Sequence, residues 1–188
     1  AWAQGQPFIH RRNGTPLVCF PALPESLELY LSGPGEDAFE LRLLRAWLEP
    51  GDRMIDTGAN LGIYAVAAAH HVGPRGKILA VEASPVLADC IGAAAKRLAI
   101  DHLHVVACCA GEVDGETDFF ITSGDVPTGE QSRRVDAATA SAYRREVVPL
   151  QRLNRLAGHA FGAPPPAVVK IDVEGAEVLA LRGASSLL

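Results

Sequence analysis

Asp56, Gly58, Asn60 and Gly62 stand in an Asp-x-Gly-x-Asn-x-Gly pattern that begins where a short apolar run, Met54-Ile55, ends and a helical pattern starts near Tyr64. A strand that stops and a helix that begins within so few residues leaves backbone N–H groups at a helix terminus, and small residues let a ligand approach the main chain. The first reading is a turn for a nucleoside-type cofactor. A dinucleotide site wants Gly-x-Gly-x-x-Gly, with the middle glycine opening room for a pyrophosphate. Here the spacing is one residue shorter and Asn60 replaces that glycine, which argues against a pyrophosphate. Further on, a second apolar run from Lys77 to Val81 ends in Glu82, a carboxylate able to accept both hydroxyls of a ribose. An acid, a small-residue turn and a second acid suit a nucleoside without phosphate. S-adenosylmethionine (SAM) is the commonest such cofactor.

The second chemical stretch is Val168-Val169-Lys170-Ile171-Asp172-Val173-Glu174-Gly175-Ala176-Glu177. Its apolar residues read as a buried central strand, on which Lys170 and Asp172 project to one face because side chains alternate. Two charges on one face of a buried strand are costly unless paired or set in a cleft. A structural ion pair would satisfy that condition, and so would an active site. Asp172 and Glu174 fall at the strand end, where open α/β sheets bind ligands, and this favours the functional reading.

These residues must be positioned by regular elements. Leu17 to Phe20, and Leu27 to Leu31 with its alternating pattern, read as strands of an N-terminal hairpin or flap. Glu36 to Leu48 has helical spacing and stops at Pro50-Gly51. From Arg53 the chain alternates: strand, helix (Leu61 to Val72), turn (Gly73 to Gly76), strand (Lys77 to Glu82), helix (Pro85 to Ala99, with Ser84 as N-cap), strand (His104 to Cys109). That alternation means βαβ units and a parallel sheet, an α/β fold. Gly115 to Thr122 reads as a further strand, and the polar stretch Ser123 to Arg145 as either a substrate lid or a plain surface insertion. Glu146 to Leu150 reads as a short strand, Leu153 and Leu156 as helical anchors, and Ala163 to Pro166 as a stiff connector.

The chain has 188 residues with 48% hydrophobic content, enough for one well-buried core. We divide it into an N-terminal extension, residues 1–35, and a cofactor-binding domain, 36–188. A formal net charge of -5 without a long basic run speaks against a nucleic-acid partner. No apolar run approaches bilayer length and no secretory pattern opens the sequence, so neither a membrane nor export is expected. Cys19, Cys90, Cys108 and Cys109 show no Cys-x-x-Cys spacing, which fits a reducing cytoplasm. His70-His71 lack an i, i+4 partner and read as helix-end residues rather than metal ligands.

Four blocks in order resemble the FkbM family of SAM-dependent methyltransferases: Pro50-Gly51-Asp52, Ile55 to Gly62, Val81 to Pro85, and Val169 to Glu177 leading to Leu181-Arg182-Gly183-Ala184. The resemblance covers residues 36–188. It implies a Rossmann-like methyltransferase fold, a mostly parallel doubly wound sheet with flanking helices, and methyl transfer to a hydroxyl of a sugar or secondary metabolite. It further implies that Asp56, Gly58, Ala59, Asn60 and Gly62 shape the methionine end of the SAM pocket. Glu82 would take the ribose hydroxyls, with Ala83 beside it among the cofactor-binding residues; the strand end at Cys108-Cys109, with Cys109 counted in the cofactor site, would lie near adenine, and Asp172 and Glu174 would face the transferring methyl. The family usually has Leu-Asp after the valine-proline strand, where this chain has Leu153-Asn154. A complete methyltransferase sheet has strands beyond the one at Val168. We therefore expect missing C-terminal residues, a truncated chain, or an edge covered by a second copy or another chain.

Methyl transfer from a sulfonium is an in-line displacement, so the protein supplies alignment and a dry pocket. A hydroxyl acceptor, on a glycan or small molecule, needs a base. Asp172 or Glu174 is the expected base, with Lys170 holding the carboxylate or steering the acceptor. Two other readings are open: a divalent cation held by Asp172 and Glu174, and a SAM- or nucleotide-binding module without catalysis.

Overall fold

The computed structural model describes residues 5–12, 14–31, 38–122 and 143–188. Phe8–Arg12 (β1) and Thr15–Cys19 (β2) form an antiparallel hairpin whose two-residue connection is Asn-Gly in sequence, the strongest short hairpin signal. Leu17, Val18 and Cys19 are buried, as expected of a strand, but their partner is not Leu27 to Leu31. That segment is helical, within Pro24–Leu31 (α1). The Leu23 carbonyl accepts the amides of Ser26 and Leu27 at 3.1 and 3.2 Å, and Ser26 Oγ accepts the Phe20 N–H at 2.6 Å. A helix start with Pro24 in the first turn thus outweighs a short apolar alternation.

Ala38–Trp47 (α2), Arg53–Thr57 (β3), Ile63–Val72 (α3), Lys77–Glu82 (β4), Pro85–Arg97 (α4) and Leu103–Ala107 (β5) follow the expected alternation. Cys109–Ala110 (β6), Gly115–Thr122 (β7), Tyr143–Gln151 (β8), Leu153–Phe161 (α5), Val168–Ile171 (β9) and Glu177–Gly183 (α6) complete the elements. The main sheet has the order β5-β4-β3-β9 with every pair parallel. Side-chain alternation divides its core. Met54, Ile78, Ala80 and Leu103 pack with α3, α4 and the hairpin, whereas Ile55, Leu79 and Val81 pack with Leu153, Leu156, Ala157 and Phe161 of α5 and Ala180 of α6. Both faces are covered, which is why the strands read as continuous apolar runs.

The strand at Val168, read from sequence as central, is an edge of this sheet, and its four residues are only half-buried. A second sheet, β6-β8-β7, was not foreseen. Tyr143, Arg144 and Arg145, expected in a polar lid or insertion, are strand residues paired antiparallel with Thr122, Ile121 and Phe120. Cross-strand pairing overrides their weak local preference. The rest of that stretch, residues 123–142, lies outside the described residues, as do Glu36 and Asp37 of the expected helix.

Candidate active site

Strand β3 delivers Asp56 and Thr57, fully buried, to the start of the glycine turn. The turn spends its own donors. Gly58 N and Ala59 N both donate to the Val81 carbonyl (2.9 and 3.1 Å), Gly62 N to the Ala59 carbonyl (2.7 Å), and Asn60 N to Glu82 Oε2 (2.8 Å). The sequence reading expected free N–H groups at the helix terminus; the amides of Gly58, Ala59, Asn60 and Gly62, just before α3, are tied to β4 and to the turn itself. Gly58 has φ +73, and a Cβ there would lie 1.8 Å from the Asp172 carbonyl oxygen, so only glycine lets the ends of β3 and β9 meet.

Glu82 is 0% exposed, and its second oxygen accepts the Ser84 N–H at 2.8 Å. Burial pushes its carboxyl above the usual glutamate range, opposed by the Ser84 and Asn60 amides. Ala83, just beyond, is buried. Glu82 therefore ties the two cofactor blocks together with one lone pair of each oxygen.

The second constellation is ionic. Asp56 and Lys170 are register partners across the parallel β3–β9 pair, so their side chains rise together on the face that packs against α3. Lys170 Nζ lies 3.2 Å from Asp56 Oδ1 and 3.5 Å from Asp172 Oδ2, and 4.9 Å from the centre of the Tyr64 ring. Asp56 is wholly buried while the Asp172 side chain is 67% exposed, so the ammonium bridges interior and surface. Burial drives the Asp56 carboxyl above its usual range, and Lys170 opposes this. Glu174 is exposed and stands in the left-handed region at φ +41. The structure thus brings Asp56, Lys170 and Asp172 into one cluster, and places Glu174 on the loop that leaves it.

On the other face, Thr57, Gly58, Val81, Ala83, Cys108, Cys109, Phe119, Val173 and Ala176 line a narrow cavity of about 30 Å³. Burial pushes the Cys108 thiol up to about 12 and the Cys109 thiol to about 11, so both are neutral and serve as small apolar walls. Sequence reasoning missed Tyr64, Thr57 and Phe119. Tyr64 read only as a helix start and Phe119 only as a strand residue, because both act through contacts made across the fold. His71 Nε2 meets the Leu48 carbonyl at 2.8 Å, which fits a helix-end residue. Among the described residues no three His, Cys, Asp or Glu converge as a metal would require.

The sequence from Asp56 to the end, residues 56–188, matches the Methyltransferase FkbM domain. This chain belongs to the FkbM methyltransferase family. A solved FkbM methyltransferase from Methylobacillus flagellatus superposes with a TM-score of 0.52 at 15% identity, covering 74% of this chain and 30% of that one. This FkbM chain therefore spans less than a third of that structure, with which it shares the Rossmann-like methyltransferase fold. Weaker likenesses include a SAM-dependent methyltransferase from Aquifex aeolicus (TM-score 0.35, 20% identity, 39% of this chain and 42% of that one). Another is coclaurine N-methyltransferase bound to N-methylheliamine and SAH (TM-score 0.37, 19% identity, 41% of this chain and 23% of that one). No curated protein matches the chain.

Proposed function

We propose that this FkbM domain binds SAM at the Asp56–Gly62 turn and directs its methyl group to a hydroxyl oxygen of a sugar or secondary metabolite. The observation that carries this reading is the Lys170 ammonium, held between buried Asp56 and exposed Asp172 where β3 and β9 end. The residues fit the cofactor. Asn60 Oδ1 and Thr57 Oγ1 are buried with no hydrogen-bond partner among the described residues, and such orphaned oxygens are costly until a ligand donor satisfies them. The remaining lone pairs of Glu82 suit ribose hydroxyls, and Ala83 and Cys109 offer apolar contact to a purine. Val81 and Phe119 add further apolar wall to the cavity beside them.

SAM supplies an electrophilic methyl group on a sulfonium. Asp172, on the solvent side of the cluster, takes the proton of the acceptor hydroxyl on the oxygen that does not face Lys170. Lys170 orients that carboxylate, and Asp56 holds Lys170 in turn. Glu174 lines the approach of the acceptor. Four free cysteines support a reducing, cytoplasmic setting, and no described helix is long and apolar enough to cross a membrane.

The test is Asp172→Asn. S-adenosylhomocysteine (SAH) affinity by calorimetry should stay within about twofold, while methyl transfer from labelled SAM to hydroxylated acceptors should fall by about 10²-fold or more, the usual worth of a positioned base. Unchanged transfer would remove Asp172 from the mechanism. SAH binding by the unsubstituted protein without transfer to any acceptor would favour a binding module.

A further inference from the structure

The segment that leaves β9 is held by a carboxylate the mechanism above does not use. Asp172 N makes the last ladder bond, to the Thr57 carbonyl at 3.0 Å, and Val173 is buried behind it. The backbone then enters the left-handed region twice in succession, at Glu174 (φ +41) and Gly175 (φ +98). Glycine adopts this conformation freely, but a glutamate there is strained and persists only if its surroundings hold it. The turn and the Glu177 carboxylate contribute to this. Ala176 N closes the turn on the Val173 carbonyl at 3.3 Å, and Gly175 N donates to both carboxylate oxygens of Glu177, at 3.0 and 2.9 Å.

The Gly175 N–H belongs to the peptide unit joining the two left-handed residues. Its direction sets ψ of Glu174 and φ of Gly175 together. With Glu177 removed, that unit loses the anchor on its N–H and can flip more readily, because glycine tolerates either orientation. We propose that Glu177 is a positioning residue: by gripping the Gly175 amide it holds the turn that sets where Asp172 and Glu174 stand relative to the Gly58 turn. This rests on the reading of Asp172 and Glu174 as the acceptor-side acids. The lowered Glu177 carboxyl, held ionised first of all by that amide, agrees with the geometry.

A helix-starting acid with a purely structural role would, on removal, lower stability and ligand affinity together. A positioning role separates turnover from affinity, since misplacement by about 1 Å costs about 10²-fold in rate. The experiment compares Glu177→Ala and Glu177→Gln with the unsubstituted protein. Readouts are SAH affinity, methyl transfer from labelled SAM to methyl glycosides of neutral hexoses and deoxyhexoses, and amide hydrogen exchange at Gly175.

Glu177→Ala should keep SAH affinity within about twofold, lower kcat by about 10²-fold, and speed Gly175 exchange by about tenfold or more. Glu177→Gln, which retains one acceptor oxygen, should recover kcat to within about tenfold of the original. Unchanged Gly175 exchange in Glu177→Ala overturns the proposal, as does a parallel loss of SAH affinity and turnover, or a glutamine variant no better than alanine. If Glu177→Ala does not fold, the glutamine variant carries the comparison. Failure of the unsubstituted protein to transfer a methyl group counts against the proposed function, whereas the exchange readout needs no acceptor and judges the grip on its own.

Discussion

A carboxylate as deeply buried as Asp56 depends chiefly on the cation fixed beside it, with the Ala65 amide as a lesser support. Breaking a buried ion pair by removing one member costs roughly 3–5 kcal/mol, because the other charge is stranded. Lys170→Met should therefore lower the unfolding free energy in urea by about that amount. Adding Asp56→Asn should recover much of the loss, giving a large coupling in the double-mutant cycle. The pH dependence has a definite sign. Burial raises the Asp56 carboxyl above its ordinary value of 3.8, and without Lys170 the largest opposing influence is gone. The native chain then holds a proton that the unfolded chain has lost, so the stability of Lys170→Met should fall as pH rises from near 3.8 through the raised value. Denaturation midpoints measured across that window check this. Asp56, Lys170 and Asp172 were each legible from sequence as acids and a base at strand ends. Tyr64 was not, because a ring placed under an ammonium leaves no local pattern.

Start signals were read well where they were local. Ser84 before Pro85 marked a helix, and in the structure Ser84 Oγ accepts the Leu87 N–H at 3.4 Å. Ser84→Ala should cost about 0.5–1 kcal/mol, the low end for a cap given the length of that bond, measured as a shift in urea midpoint at unchanged slope. The same reasoning failed at Leu27 to Leu31, where an alternating apolar pattern was spent on α1 instead of a strand. It also stopped short at Tyr143 to Arg145, whose strand character depends on Gly115–Thr122 lying opposite. Polar residues with paired arginines read as loop until cross-strand partners are known. In the structure Arg145 meets Asp118 at 2.7 Å and Arg144 meets Glu146 at 2.5 Å, exposed pairs that add little energy.

At the scale of the molecule, a ligand that binds only the folded chain stabilises it by mass action. SAH at a hundred times its dissociation constant should add about 2.7 kcal/mol and raise the melting temperature by a corresponding few degrees. No rise at any SAH concentration would speak against the cofactor. The α/β class, the parallel order of its βαβ units and the FkbM membership were determined by sequence alone, because turn glycines, caps and apolar runs act over a few neighbouring residues. Which groups meet was decided by the tertiary structure. Only the β3–β9 register sets Lys170 opposite Asp56, only the approach of the Asp172 carbonyl makes Gly58 indispensable, and only the fold gives Glu82 to the Asn60 amide. Those contacts join segments far apart in the chain, and their energy comes from burial and paired charge that no local pattern contains.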